Sequence, residues 1–168
     1  MLIKLFGASL ILAAGVFAVT KIKYGIREQI SEIEAFLKIT DSVKTDILFK
    51  KLPVMKCVEN LEIENQKVRV FTEKFINFLQ IGKDIPSASK KAFENSDLYL
   101  KGEELSVVKG FFEQLGQTSY ENQLENAMHT MNKLTRRLGE IKKDCEKNER
   151  TKCSLVLGAT LATVIVLF

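Results

Sequence analysis

Few residues of this sequence have types and spacings that could support catalysis or metal binding. His129 is the only histidine, so two imidazoles are never available together as metal ligands or as a general acid and base. The three cysteines, Cys57, Cys145 and Cys153, form no Cys-x-x-Cys pair. The sequence also lacks a phosphate-binding G-x-x-x-x-G-K-[ST] loop. We therefore predict no catalytic residue, no metal, no cofactor, and cysteines that remain reduced thiols.

Two pairs of glutamates are the other groups that could perform acid–base chemistry. Glu103 and Glu104 open a predicted helix, where negative charge is favourable at the positive end of the helix dipole. Glu62 and Glu64 stand in a predicted loop. Since no neighbouring feature of the sequence would raise a carboxyl pKa, we predict that both pairs lie on the surface. These residues therefore predict a protein that is not an enzyme.

The segment from Leu115 to Gln123 predicts a tight corner between two helices. Gly116 can adopt backbone conformations that other residues avoid, and the Gln123 amide could donate and accept hydrogen bonds across the corner. One interpretation is a turn that only holds the two helices together. The other is that Leu115, Gly116 and Gln123 form a docking edge for a cytosolic partner. The sequence leaves both interpretations open.

The spacing of apolar residues predicts the elements that position this corner. Intervals of three and four recur through the middle of the chain, without the alternation that is typical of strands. The sequence therefore predicts an all-α fold, with a cytosolic bundle of about six helices. The predicted helices cover about 24–49, a short segment after a Leu52-Pro53 break, 67–80, a short segment capped by Asp84 or Ile85, 103–115, and a long final segment opened by a Thr118-x-x-Glu121 capping box.

The apolar faces of these helices predict the core of the bundle. Phenylalanine is unusually common, with eleven residues, and we predict that most of them are buried. The predicted inward face of the fifth helix includes Leu105, Val108 and Phe112. In the last helix, Met128 and Leu134 stand at the spacing of a buried stripe.

Both ends of the chain are apolar and free of charge. Residues 5–20 and 153–168 would each form a helix of about 24 Å. Residues 1–3, with Lys4 snorkelling toward the headgroups, extend the first segment to the hydrocarbon thickness of about 30 Å, whereas the last is slightly short for a full span. We predict transmembrane helices at 1–22 and 153–168, enclosing a helical domain at 23–152. A cleaved signal peptide is the alternative for the first segment, and a buried core helix is the alternative for the last.

The charges beside the two ends predict their orientation. Lys21, Lys23 and Arg27 follow the first segment, and five basic residues between 142 and 152 precede the second. The positive-inside rule then keeps the middle domain in the cytosol and takes both termini to the other side. The net charge of +4 is modest, and lysines alternate with glutamates, so we predict membrane lipid rather than nucleic acid as a partner.

Several short motifs occur in an order that is similar to a known family. They are Ile26-Arg-Glu-Gln-Ile30, the Leu52-Pro53 break, the run Gly82-Lys-Asp-Ile-Pro-Ser-Ala-Ser-Lys-Lys-Ala-Phe93, the run Phe112-Glu-Gln-Leu-Gly116, and Gln123. In the two-span layout these motifs resemble the stage III sporulation protein AB family of endospore-forming bacteria. The chain departs from the family pattern at Phe93, where tryptophan is frequent, and near Pro53, which lacks the usual Tyr-Gly.

The resemblance implies a role in endospore formation. It implies a non-enzymatic subunit of a channel-like complex in the mother-cell membrane facing the forespore, with a helical domain similar to the inner-membrane platform protein of type II secretion and type IV pilus systems. Its implied partners are other subunits of the complex and a cytosolic secretion-type ATPase, which the platform would link to membrane rings; association between copies is also open. A membrane-anchored helical adaptor or sensor, and a secreted helical protein with a cleaved signal, are the alternatives.

Overall fold

The computed structural model describes the backbone of residues 2–50, 54–59 and 61–167, and all regular secondary structure in these ranges is α-helical. Its six helices confirm the predicted all-α fold, whereas the predicted Leu52-Pro53 break lies outside the described residues. The helices are α1 (Leu2–Lys50), α2 (Val54–Glu59), α3 (Gln66–Gln80), α4 (Ile85–Glu94), α5 (Gly102–Gln114) and α6 (Tyr120–Leu167).

The chain divides into two compact units. Met1–Glu28 and Glu140–Phe168 together form the end unit, and Gln29–Gly139 forms the central unit. The helices α1 and α6, with 49 and 48 residues, each contribute to both units. The domain boundaries that the sequence predicts, at 22/23 and 152/153, stay predictions.

Within the described parts of the chain, no helix is both long enough and apolar enough to cross a membrane. The segments 1–22 and 153–168 include residues outside the described set. The two spans therefore stay predictions.

Side-chain caps explain where two of the short helices begin. The Asn65 side chain caps α3 by accepting hydrogen bonds from the N–H groups of Lys67 and Val68, at 3.0 and 3.1 Å. Asp84, one of the two predicted positions, caps α4 by accepting from the N–H of Ser87 at 3.2 Å. These contacts with Ser87 hold the pKa of the Asp84 carboxyl below its ordinary value.

The start of α6 differs from the prediction by one residue. The helix begins at Tyr120, and the hydroxyl of Ser119 accepts from the N–H of Asn122 at 3.4 Å. Thr118 was the predicted cap, but its carbonyl instead accepts a hydrogen bond from Gln123. The turn therefore extends past Thr118, and Ser119 takes the position that a capping hydroxyl requires.

A cluster of phenylalanines fills the core of the central unit. The ring of Phe71, which is fully buried, lies 4.3–6.4 Å from those of Phe36, Phe75, Phe93 and Phe112, measured between centroids. Through these rings α1, α3, α4 and α5 share one core. The prediction that most phenylalanines are buried is confirmed for this unit, with Phe49, at 80% exposed, the main departure among its described side chains.

Two predicted core positions are wrong. Met128 is 52% exposed, because Ala127, Thr130 and Leu134 form the buried face of α6 and Met128 projects beside it. On α5, Val108 and Phe112 are buried as predicted, whereas Leu105 is only half-buried. Glu104 takes the buried place beside Leu105, and this is explained by its partners, described below.

Candidate functional site

The corner between α5 and α6 is closed by one side chain. Gly116 has a φ of 70°, in the left-handed region that favours glycine. Its N–H donates to Oε1 of Gln123 at 3.1 Å, and Nε2 of Gln123 donates to the Thr118 carbonyl at 2.7 Å. The amide group of Gln123 therefore both accepts and donates a hydrogen bond within the corner, as the sequence predicted.

The structure brings the three predicted site residues together, with different exposures. Leu115 is buried at 3% exposed, Gln123 is half-buried and Gly116 is exposed. The residues that project from the corner are the polar ones between Gly116 and Tyr120. These contacts lie within the chain, and docking of a partner at this corner stays a prediction.

We expect Gly116→Ala to lower the free energy of unfolding by about 1–2 kcal/mol, because an L side chain disfavours a φ of 70°. Gly110, inside α5, provides the matched control, since a Cβ built there meets no atom within 4 Å. Gly110→Ala should raise the free energy of unfolding by about 0.5–1 kcal/mol. Chemical denaturation followed by circular dichroism measures both; equal effects of the same sign would contradict this reading of the corner.

A buried carboxylate contradicts one surface prediction. Glu104 is 2% exposed, whereas the sequence predicted Glu103 and Glu104 as a surface pair. Its carboxylate accepts from Gln29 on α1 and lies 3.3 Å from the guanidinium of Arg137 on α6. Glu103 is the exposed member and pairs with Arg136 at 2.7 Å. Burial of Glu104 is possible because a cationic partner and an amide satisfy the charge, and these partners are remote in sequence.

Glu32, on α1, is a second buried carboxylate, which the sequence analysis missed. It is fully buried. The N–H of Tyr99 lies 2.9 and 2.7 Å from its two oxygens, and the N–H of Leu100 donates to Oε2 at 2.9 Å. The carboxylate thus holds the segment between α4 and α5 against α1. The only sequence signal is that Glu32 precedes Ile33 within an apolar stripe, where a charge requires a partner.

The other candidate residues for chemistry are separate from one another. Glu62 and Glu64 are exposed as predicted, and the hydrogen bond from Lys38, at 2.7 Å, lowers the pKa of the Glu64 carboxyl. His129 is exposed. Cys57 is buried. In the part of the chain that the structure describes, no group of three histidines, cysteines or carboxylates could hold a metal ion.

These features define an all-helical protein in which two helices of nearly 50 residues, α1 and α6, each contribute to the central unit. A corner that is held by the hydrogen bond between Gly116 and Gln123 precedes the second of these helices. The family model of stage III sporulation protein AB matches residues 4–168. The chain therefore belongs to the stage III sporulation protein AB family, as the resemblance of its motifs predicted. No curated protein and no solved structure matches it.

Proposed function

We propose that this protein is a non-enzymatic membrane subunit of the sporulation channel-like complex, a platform that links a cytosolic secretion-type ATPase to membrane rings. Its place would be the mother-cell membrane facing the forespore. Membership of the family supports a role in sporulation. The single observation that carries the platform role is the continuity of α1 and α6, because each runs from an end of the chain into the folded central unit without interruption.

Side chains of the first segment support an attachment to lipid. Leu10, Val16 and Phe17 are 55–68% exposed on α1, in a segment without charge. Exposed apolar side chains of this size are unfavourable in water and favourable in a hydrocarbon environment. The same helix continues with three basic residues, Lys21, Lys23 and Arg27. They would contact lipid headgroups, and the positive-inside rule would place them on the cytosolic side of the membrane.

The orienting charges give a test of the membrane arrangement. We expect changing Lys21, Lys23 and Arg27 together to glutamate to disturb insertion, because the K/R bias that sets orientation is removed. Protease accessibility of the central unit in spheroplasts and in inverted vesicles measures the outcome. An accessibility map identical to that of the unchanged chain would contradict the proposed orientation.

The platform role predicts a stable association with the ATPase. In the proposed complex, the exposed residues of the Gly116–Gln123 corner are available to the partner. We expect the full-length chain, purified in mild detergent from membranes of sporulating cells, to carry the cytosolic ATPase with it. Recovery of the chain without the ATPase and without other subunits of the complex would contradict the proposal.

A further inference from the structure

One stretch of the central unit is acidic in a basic chain. Between Lys109 and Lys133 no lysine or arginine occurs, although the protein has 25 of them and a net charge of +4. The same stretch contains three glutamates, of which Glu121 and Glu125 lie exposed on the first turns of α6. Because they are four residues apart, the two carboxylates stand on one face of the helix and repel each other.

Apolar side chains lie beside these two carboxylates. Tyr120, Leu124 and Met128 follow each other at intervals of four, so they form one stripe along α6. Tyr120 is 51% exposed, Met128 is 52% exposed and Leu124 is half-buried. We call this surface the acidic face; its members are Tyr120, Glu121, Leu124, Glu125 and Met128. An exposed apolar stripe with a charged border is typical of a surface that contacts another protein.

A complementary surface exists on the α3–α4 turn and α4. Ile81 is 64% exposed, and Lys83, Lys90 and Lys91 follow it. The neighbouring Lys91 side chain lowers the pKa of the Lys83 ammonium. We call this surface the basic patch; its members are Ile81, Lys83, Lys90 and Lys91. The exposed carboxylate of Asp84 stands beside Lys83, so the patch offers one apolar side chain and a net positive charge, opposite to that of the acidic face.

We propose that the acidic face of one copy of this chain binds the basic patch of a second copy. The contact pairs Glu121 and Glu125 with lysines and covers Ile81 with the Tyr120–Met128 stripe. Each surface brings like charges together in a single copy, and opposite charges from a neighbour relieve both repulsions. The patches belong to different helices, so every copy carries both. Two copies can then form the contact twice about a two-fold axis, and a heterologous arrangement extends it into a ring or an open chain.

Charge reversal tests the contact on the full-length chain in mild detergent. The first variant is E121K/E125K, which makes the acidic face basic. The second is K83E/K91E, which makes the basic patch acidic. Each variant alone carries two like-charged surfaces, so we expect its self-association to weaken by at least about 100-fold. The control E62K/E64K makes the same change of net charge as E121K/E125K, but on a different exposed segment. It should associate like the unchanged chain.

Mixing the two variants gives the decisive result. An equimolar mixture again presents opposite charges at every contact, and we expect it to recover the affinity of the unchanged chain to within about threefold. Recovery also shows that both variants are folded. Sedimentation velocity at about 50 mM and about 500 mM salt measures the size of the assembly, which should contain two or more copies at low salt and be smaller at high salt.

Three results would overturn the proposal. They are an unchanged chain that stays as single copies at low salt, single variants that associate like the unchanged chain, and a mixture that does not recover. If a different basic protein covers the acidic face, the purified chain gives the first result. None of these results depends on the ATPase, so the proposed platform role is tested separately.

Discussion

Replacing Phe71 with alanine is expected to lower the free energy of unfolding by about 3–5 kcal/mol. Phe71 has no exposed surface, and its ring contacts four other phenylalanine rings, three of them from other helices. Removing it takes away the apolar contacts and leaves a cavity that the surrounding rings cannot fill without moving. Since a domain is typically stable by only about 5–15 kcal/mol, the loss is a large fraction of the total.

Phe49→Ala is the matched control for this prediction. The same side chain is removed, but Phe49 is 80% exposed and buries little apolar surface in the folded chain. Its change should stay within about 0.5 kcal/mol. Urea denaturation of the full-length chain in mild detergent, followed by far-UV circular dichroism, compares the two. Comparable losses would show that the phenylalanine cluster is not the main core of the central unit.

Replacing Glu32 with alanine is expected to cost about 2–5 kcal/mol. The substitution leaves the N–H groups of Tyr99 and Leu100 without their carboxylate, and each unsatisfied buried donor costs about 1–3 kcal/mol. The segment that leads into α5 should then separate from α1 more often. Hydrogen exchange at the Tyr99 and Leu100 amides should increase more than exchange within α3.

Two variants separate the acceptor from the charge at Glu32. Glu32→Gln keeps one acceptor oxygen and should lose less stability than Glu32→Ala. Glu34→Ala removes a carboxylate from the exposed side of the same helix and should change stability by less than about 0.5 kcal/mol. If Glu32→Ala and Glu34→Ala had the same effect, the carboxylate of Glu32 would not be holding the α4–α5 segment.

The sequence predicts most helices of this protein because their signals are local. Apolar spacing within 15 residues locates α3, and the side chain of Asp84 caps the first turn of α4. The start of α6 was placed wrongly because Thr118 and Ser119 both offer a hydroxyl. The choice between them depends on Gln123, whose amide donates a hydrogen bond to the Thr118 carbonyl within the corner.

Contacts between distant segments explain what the sequence analysis missed. Glu104 is 33 residues from Arg137 and 75 from Gln29, and no local pattern reveals that these three meet. The same holds for Glu32, whose donors lie 67 and 68 residues away. The Gly116–Gln123 contact was predictable because the two residues are only seven positions apart in the sequence. Met128 was assigned to the core because spacing alone does not show where a buried stripe ends.

Labelling of one cysteine in intact cells tests most directly whether a cytosolic domain is held to the membrane at both ends. The variant carries Ser106→Cys on the exposed side of α5, with Cys145→Ala and Cys153→Ala, while Cys57 stays because it is 1% exposed. For a cytosolic domain with a membrane helix at each end, we expect the chain to stay in the membrane after a carbonate wash. We also expect it to react with an impermeant maleimide only once the cells are permeabilised. Release by the wash, or labelling of intact cells, would contradict this arrangement.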